Sequence, residues 1–329
     1  MTAAVRANRW LDAAAWRNLF RDRPLIPLTG LLLLLVITIQ IADPGIVTLP
    51  WWGVIMRASV PLAILAGCQT LTMLTGGIDL SVATVASMAG FVTATFVNSP
   101  GGWVQGMAVA LAAAALAGLV TGIGVGVFRV HPLIMTLAMS FVVLGFSNVW
   151  QLQMVQTGAG VPSQLRWVGS NLLLDVIPYS FLVFVPLTLL ILLGLRRTGY
   201  GRLLFAIGDN PIAARLSGVR SPQILIVLYV ISAVLAAIAG LIISGFTNTA
   251  SVSLADTYLL PSVAAAVIGG TSIMGGRGGF AGTIVGALIL TVLTALLTVL
   301  GLPEPTRQIV FGSIIVVVAA AYTRVTGES

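Results

Sequence analysis

Residues 196–220 read RRTGYGRLLFAIGDNPIAARLSGVR, and they separate two runs of hydrocarbon, 178–195 and 222–246. That contrast decides the fold. Apolar runs of about 20 residues have the length that crosses a bilayer as a helix, and a polar stretch between two of them has to stand outside the hydrocarbon. Five arginines (Arg196, Arg197, Arg202, Arg215 and Arg220) fall within it against one acid, Asp209. A short helix is marked inside. Asp209 or Asn210 can cap the first free N–H groups, and Pro211 suits the first turn. Ala213, Ala214, Arg215 and Leu216 are good helix formers, and Gly218 supplies a left-handed stop. A helix of roughly two turns is marginal alone in water, so it needs a surface to lie against. That surface is expected on another protein.

The rest of the chain has the same character. Of 329 residues, 58% are hydrophobic and 8% charged, with a mean hydropathy of +1.08. A soluble domain carries about 25% charged residues, so water is not this chain's main solvent. The apolar runs are continuous rather than alternating, which excludes a transmembrane β-barrel and predicts an all-α, polytopic bundle. The net charge of +7 is carried by arginine, with no lysine. Placed beside apolar spans, those charges set membrane orientation and do not indicate nucleic acid. A P-loop requires lysine, so the chain is not its own conventional ATPase. Cys68 is the one cysteine and His131 the one histidine. A disulfide within the chain and a cysteine- or histidine-rich metal site are therefore excluded. Cys68 reads as packing and His131 as a boundary residue before Pro132.

Ten spans are predicted, at 25–42, 55–74, 81–98, 103–128, 132–151, 178–195, 222–246, 259–274, 280–300 and 306–323. They lie within a single transmembrane domain, 25–324, and leave a basic segment, 1–24, and a tail, 325–329. In the first segment Trp16, Leu19 and Phe20 share one helical face and Arg17 and Arg21 another, as in a helix lying on a lipid surface. With the N-terminus inside, Arg6, Arg9, Arg17, Arg21, Arg23, Arg129, Arg277, Arg324 and the five of the 196–220 loop are cytoplasmic, while Arg57, Arg166 and Arg307 are outside. This asymmetry fixes the orientation, with both termini cytoplasmic. Trp51, Trp52, Trp103 and Trp150 fall near outer boundaries, where indoles settle.

Gly118, Gly122 and Gly126 form a doubled small-xxx-small face, repeated once at Gly282 and Gly286; tight packing within the bundle or a subunit contact would both use it. The outer loop at 152–177 (Gln153, Gln156, Gln164, Asn171, Asp175) is either a solvated connector or a docking surface. Two stretches break the apolar pattern. In TGGIDLS, 75–81, Gly76 and Gly77 end one helix and Asp79 and Ser81 open the next. In GGTSIMGGRGG, 269–279, six glycines permit sharp turns and close backbone contact.

These motifs carry a resemblance. TGGIDLS (75–81), A-x-G-x-N-x-x-A-A-x-x-S-G-V (206–219) and IGGTSIMGGRGG (268–279) occur in that order, and together they resemble the permease subunit of ribose/galactose-type ABC importers over roughly 55–323. The resemblance implies a multi-pass protein of the bacterial inner membrane that moves a pentose or hexose. Its partners would be a second permease subunit, identical or homologous, two copies or domains of a cytoplasmic ABC ATPase, and an extracytoplasmic sugar-binding protein. The chain itself would bind no cofactor; ATP and Mg would sit on the ATPase subunits. The 206–219 segment would be a coupling helix seated on the ATPase, carried by Gly208, Asp209, Asn210, Ala213, Ala214, Arg215 and Gly218.

Physical reading agrees. Small side chains at Ala213 and Ala214 permit close approach to a partner, and Arg215 can pair with an acidic rim. Gln69, Thr72, Asp79, Ser87, Asn148 and Thr247 are polar groups in or beside spans; they either line a solute path or hydrogen-bond across helices. Asp79 and Asp256 read first as helix-start caps. Three other functions make different demands on the sequence. A branched-chain amino-acid permease would use the same machine. An ion-coupled secondary transporter would place ionisable groups deep in the membrane, whereas here they sit at span ends. A membrane enzyme would need an acid/base or metal constellation, and no catalytic cluster is legible.

Overall fold

The computed structural model describes residues 25–99, 101–154 and 160–326. Segment 1–24, where an interfacial helix is expected, lies outside the described residues, as do Gln156 and 327–329. The described residues form thirteen α-helices. These are α1 (Leu25–Ala42), α2 (Leu49–Met73), α3 (Val82–Thr95), α4 (Gly102–Gly126), α5 (Pro132–Met154), α6 (Ser163–Ser170), α7 (Phe181–Arg197), α8 (Gly199–Asp209), α9 (Pro211–Leu216), α10 (Ser221–Thr247), α11 (Leu259–Ile268), α12 (Phe280–Val299) and α13 (Glu304–Thr326). A two-stranded hairpin, β1 (Leu172–Leu173) and β2 (Ile177–Pro178), follows α6.

Each of the ten expected spans contains one of these helices, yet they differ in length. Six (α1, α2, α4, α5, α10 and α12) are long and apolar enough to cross a membrane, and α7 with α8 makes a seventh if their 68° bend is taken as one broken span. The other two core segments are short: α3 has 14 residues and α11 has 10. At about 1.5 Å per residue neither reaches the ~30 Å hydrocarbon thickness. Both are enclosed by longer helices, which is where broken helices are tolerated in a membrane protein.

α10 is the axis. It packs against α2, α3, α4 and α6, and Ser232, Ala233, Ala236, Ala237, Ala239 and Gly240 are among its buried residues. Small side chains are what let four neighbours approach one helix. A Cβ on Gly118 would lie 2.5 Å from the Tyr229 oxygen, one on Gly122 2.6 Å from Ile226 Cα, and one on Gly126 2.9 Å from the Pro222 oxygen. The doubled small-xxx-small face is therefore the α4–α10 seam inside this chain. Gly282 and Gly286 likewise abut Gly269, just past the end of α11, and Ala265 within it. Lipid-facing positions keep their large side chains outward, among them Leu33, Leu116, Phe141 and Leu190.

Arg57 and the α2–α3 turn lie toward opposite ends of α2 and so mark the two ends of the bundle. One end gathers the 196–220 segment, the α2–α3 turn and the glycine loop before α12: Gly76, Gly208 and Gly275 are mutual neighbours. At the other, the Arg57 guanidinium donates to the Ser170 carbonyl and lies 5.3 Å from the Phe246 ring.

Candidate functional site

The local signals in 196–220 produce two helices rather than one. α9 begins where Asn210, not Asp209, turns its side-chain oxygen onto the N–H groups of Ile212 (3.1 Å) and Ala213 (2.9 Å). Pro211 occupies its first turn. It stops at Gly218, whose φ of +85° is left-handed, a conformation that costs glycine nothing. α8 is the element that the sequence reading missed. Gly199, Gly201 and Gly208 mask it, but Tyr200, Leu204 and Ile207 fall at helical spacing, and that is the signal that could have found it. The Thr198 hydroxyl caps it by accepting from Gly201 N–H at 3.2 Å.

α8 lies against the bundle. Leu204 and Ile207 are buried, and the Tyr200 hydroxyl donates to the Ile224 carbonyl at 3.0 Å; burial pushes that phenol above its ordinary pKa. α9 projects further. Ala214 faces the protein, whereas Ile212 is 70% and Leu216 84% exposed. Set four residues apart, these two share a face, with Ala213 and Arg215 exposed alongside. All five arginines of the segment are exposed. None is in an ion pair; Arg307–Glu304 is the one salt bridge among the described residues. The result is a small apolar knob in a positive field. Of the seven residues expected in the coupling role, Asp209, Asn210, Ala213, Arg215 and Gly218 are exposed, while Ala214 is buried and Gly208 half-buried.

Gly208 is where this segment joins the rest. A Cβ there would overlap the Leu74 carbonyl oxygen and lie 2.5 Å from Gly276 N. Gly276 N–H itself donates to Leu74 C=O at 3.0 Å. A Cβ on Gly275 would lie 2.9 Å from the Gly208 oxygen and 3.0 Å from Gly76 N, and one on Gly276 2.9 Å from Asp209 Cα. The three stretches singled out in the sequence thus meet backbone to backbone at one end of the bundle. Gly275 and Gly276 hold φ of +93° and +69°, so glycine is needed there both for conformation and for room.

Irregular backbone inside a bundle has to be hydrogen-bonded within the protein. Gln69 does this for Asp79: its amide N–H donates to Asp79 C=O (2.8 Å) and its oxygen accepts from Asp79 N–H (3.2 Å). Thr136 on α5 does the same for Ile78 C=O (3.2 Å) and Leu80 N–H (3.1 Å). The Asp79 carboxylate is buried and accepts from Ser81 N–H, Ser81 Oγ and, at 2.9 Å, Ser232 Oγ of α10. Ser87 accepts from Ala255 N–H at 2.8 Å, steadying the turn before α11. The Thr72 hydroxyl donates to Cys68 and Gln69 carbonyls of its own helix. Asn148 is exposed on α5, and Thr247, also exposed, bonds the Ile243 carbonyl and Thr249. The structure therefore brings Gln69, Thr72 and Asp79 together and leaves Ser87, Asn148 and Thr247 apart. Thr136 and Ser232 were missed: a lone Thr or Ser in an apolar helix carries no local mark of what it bonds. Asp256 opens a 3-10 turn, Asp256–Tyr258, at the start of α11. Among the described residues no group of acid, histidine and cysteine side chains could hold a metal.

Comparison with known proteins adds an independent line. Residues 53–319 match the profile of the family described as branched-chain amino acid transport system / permease component. The ribose import permease protein of Escherichia coli K12 is 34% identical over 312 residues, covering 94% of this chain and 95% of that one. The fructose import permease protein of Rhizobium meliloti is 31% identical, with 81% and 76% covered. The galactofuranose transporter permease protein of Escherichia coli K12 is 34% identical, with 78% and 74% covered. No solved structure matches the chain.

Proposed function

The chain belongs to the permease family of ABC importers, and on that premise we propose that it conducts a monosaccharide inward, delivered by an extracytoplasmic sugar-binding protein and driven by ATP hydrolysed on separate subunits. It is a multi-pass protein of the bacterial inner membrane, and its family works with ATPase and binding-protein partners. The relatives named above take ribose, fructose and galactofuranose, so the cargo is a sugar rather than a branched-chain amino acid. The working assembly has two permease subunits and two ATPase subunits or domains. This chain supplies no catalytic residue to hydrolysis; ATP and Mg bind on the ATPases.

The observation that carries the mechanical half of this reading is α9. Ile212 and Leu216 are large, apolar and exposed, which is costly unless a partner covers them. They enter a cleft of the ATPase, and Arg215 pairs with an acidic rim. Movement of that cleft tips α9 and, through the α8 backbone at Gly208, the α2–α3 turn and the glycine loop together. Because these segments touch without intervening side chains, they have little slack to absorb the stroke. Asp79 then ties the same turn to α10 through Ser232. Gln69, Thr72, Asp79, Ser87, Asn148 and Thr247 remain the polar groups from which solute contacts are drawn.

The test is reconstitution with the cognate ATPase and binding protein, measuring sugar uptake and binding-protein-stimulated ATPase. Ile212→Glu with Leu216→Glu should lower both by tenfold or more, since burying unpaired charge costs several kcal/mol, while the permease itself still reaches the membrane. A bulky residue at Ala213 should uncouple hydrolysis from uptake. Wild-type uptake in either variant sinks this assignment.

A further inference from the structure

The outer end of the bundle holds a cleft that the transport reading does not use. α6 presents Ser163, Arg166, Trp167 and Ser170 along one side, and Asn171 and Asn248 complete the wall of a shallow, open cleft. The opposite side of α6 is clamped to α10: a Cβ on Gly245 would overlap the Leu165 carbonyl oxygen, and one on Gly169 would lie 2.5 Å from Phe246 N. The Ser170 hydroxyl donates to Gly245 C=O at 2.7 Å. The wall is thus held rigidly on the central helix.

Its chemistry is uncommitted. Trp167 is 48% exposed and stacks on Tyr179 at 4.4 Å between centroids and 26° between planes, so the indole plane is set by its neighbour while the rest of the ring stays open. The Arg166 guanidinium, Trp167 indole N–H and both asparagine amides make no hydrogen bond among the described residues. A fixed aromatic face ringed by planar donors and acceptors, with one cation and no acid, fits a neutral polyhydroxylated ring. The ring's C–H face packs on the indole, and its hydroxyls, each donor and acceptor, pair with amide and guanidinium.

We infer that this cleft is a monosaccharide site on the outer face, where the solute rests after leaving the binding protein and before entering the bundle. The inference rests on the sugar-importer reading. It places the solute on the outer end of α10, a 27-residue helix whose inner end follows α9 directly, so occupancy outside and the ATPase joint inside act on one rod.

The experiment uses the permease–ATPase complex in nanodiscs without its binding protein, probed by saturation-transfer NMR on D-ribose and D-fructose in turn, alongside uptake kinetics with the binding protein present. Wild type should transfer saturation to the ring protons of the sugar it imports. Trp167→Ala and Asn248→Ala should weaken that transfer at least fivefold and raise the KM for uptake by a similar factor with kcat kept, as expected for loss of one contact per variant. Trp167→Phe, which preserves an aromatic face, should restore most of it and guards against misfolding of the alanine variant. Several outcomes overturn the proposal: transfer unchanged in Trp167→Ala, no transfer to any sugar that wild type imports, or weaker binding-protein affinity with sugar transfer unmoved, which would make the cleft a protein-docking surface. A loss of membrane level alone in the Trp167 variants would make it an interfacial anchor and would overturn it too. Absence of ATP-driven uptake of any sugar by wild type sinks the importer reading itself.

Discussion

Gly208→Ala adds one methyl group at the point where three loops touch. Its Cβ would lie 2.5 Å from Gly276 N and 2.9 Å from the Leu74 carbonyl carbon, and would overlap the Leu74 oxygen. A carbon comes no nearer to a peptide oxygen than about 3.3 Å, so the backbones have to part by roughly 1.5 Å. That separation strains or breaks the Gly276 N–H to Leu74 C=O bond, now 3.0 Å. Overpacking costs about 1–3 kcal/mol, and one backbone hydrogen bond about 0.5–1.5 kcal/mol. The total, roughly 2–4 kcal/mol, falls on the joint and not on the α4–α10 seam. The assay is paired: thermal unfolding of the detergent-solubilised chain, and uptake against ATP hydrolysis in the reconstituted complex. The expected result is a lower midpoint with uptake down at least tenfold and hydrolysis down much less, because the ATPase is intact and its stroke is lost at the gap. Gly194→Ala is the control. Nothing lies within 4 Å of a Cβ there, so it should be silent or slightly stabilising, by up to about 1 kcal/mol of helix propensity. If Gly208→Ala matches Gly194→Ala in both measurements, close backbone contact at this joint has no mechanical role.

Three further variants probe neighbouring claims. Asn210→Ala removes the acceptor for Ile212 and Ala213 N–H, costing about 1 kcal/mol of α9; uptake should fall several-fold and Asn210→Asp should recover it, and equal uptake in all three forms would deny the cap a role. Gln69→Leu leaves Asp79 N–H and C=O unpaired in the core, so the chain should lose about 2–5 kcal/mol, read as a lower unfolding midpoint. Tyr229→Phe goes the other way: its hydroxyl is buried with no partner among the described residues, so removal should be neutral or stabilising within about 1 kcal/mol, and a marked loss of stability would show a partner for that oxygen.

Hydropathy is a local property, and so the six helices long and apolar enough to cross a membrane were legible in order along the chain. Asn210, Pro211 and Gly218 marked α9 because caps act within a few residues. Local reading failed in two ways. α8 is interrupted by glycines that serve contact with other segments, so they read as helix breakers in sequence and as clearance in space. α3 and α11 read as full spans because their flanking residues are apolar, while the tertiary structure unwinds those flanks into turns. What Thr136, Ser87 and Ser232 bond is set by partners 56 to 168 residues away, and no window of helix length along the chain contains both members of such pairs. The sequence alone determined that this is a membrane-embedded helical protein with a capped, arginine-rich foot between two apolar runs. Only the tertiary structure decided that the foot's helix touches both glycine loops at Gly208, since contact between backbones depends on where whole helices lie and side-chain pattern does not encode it.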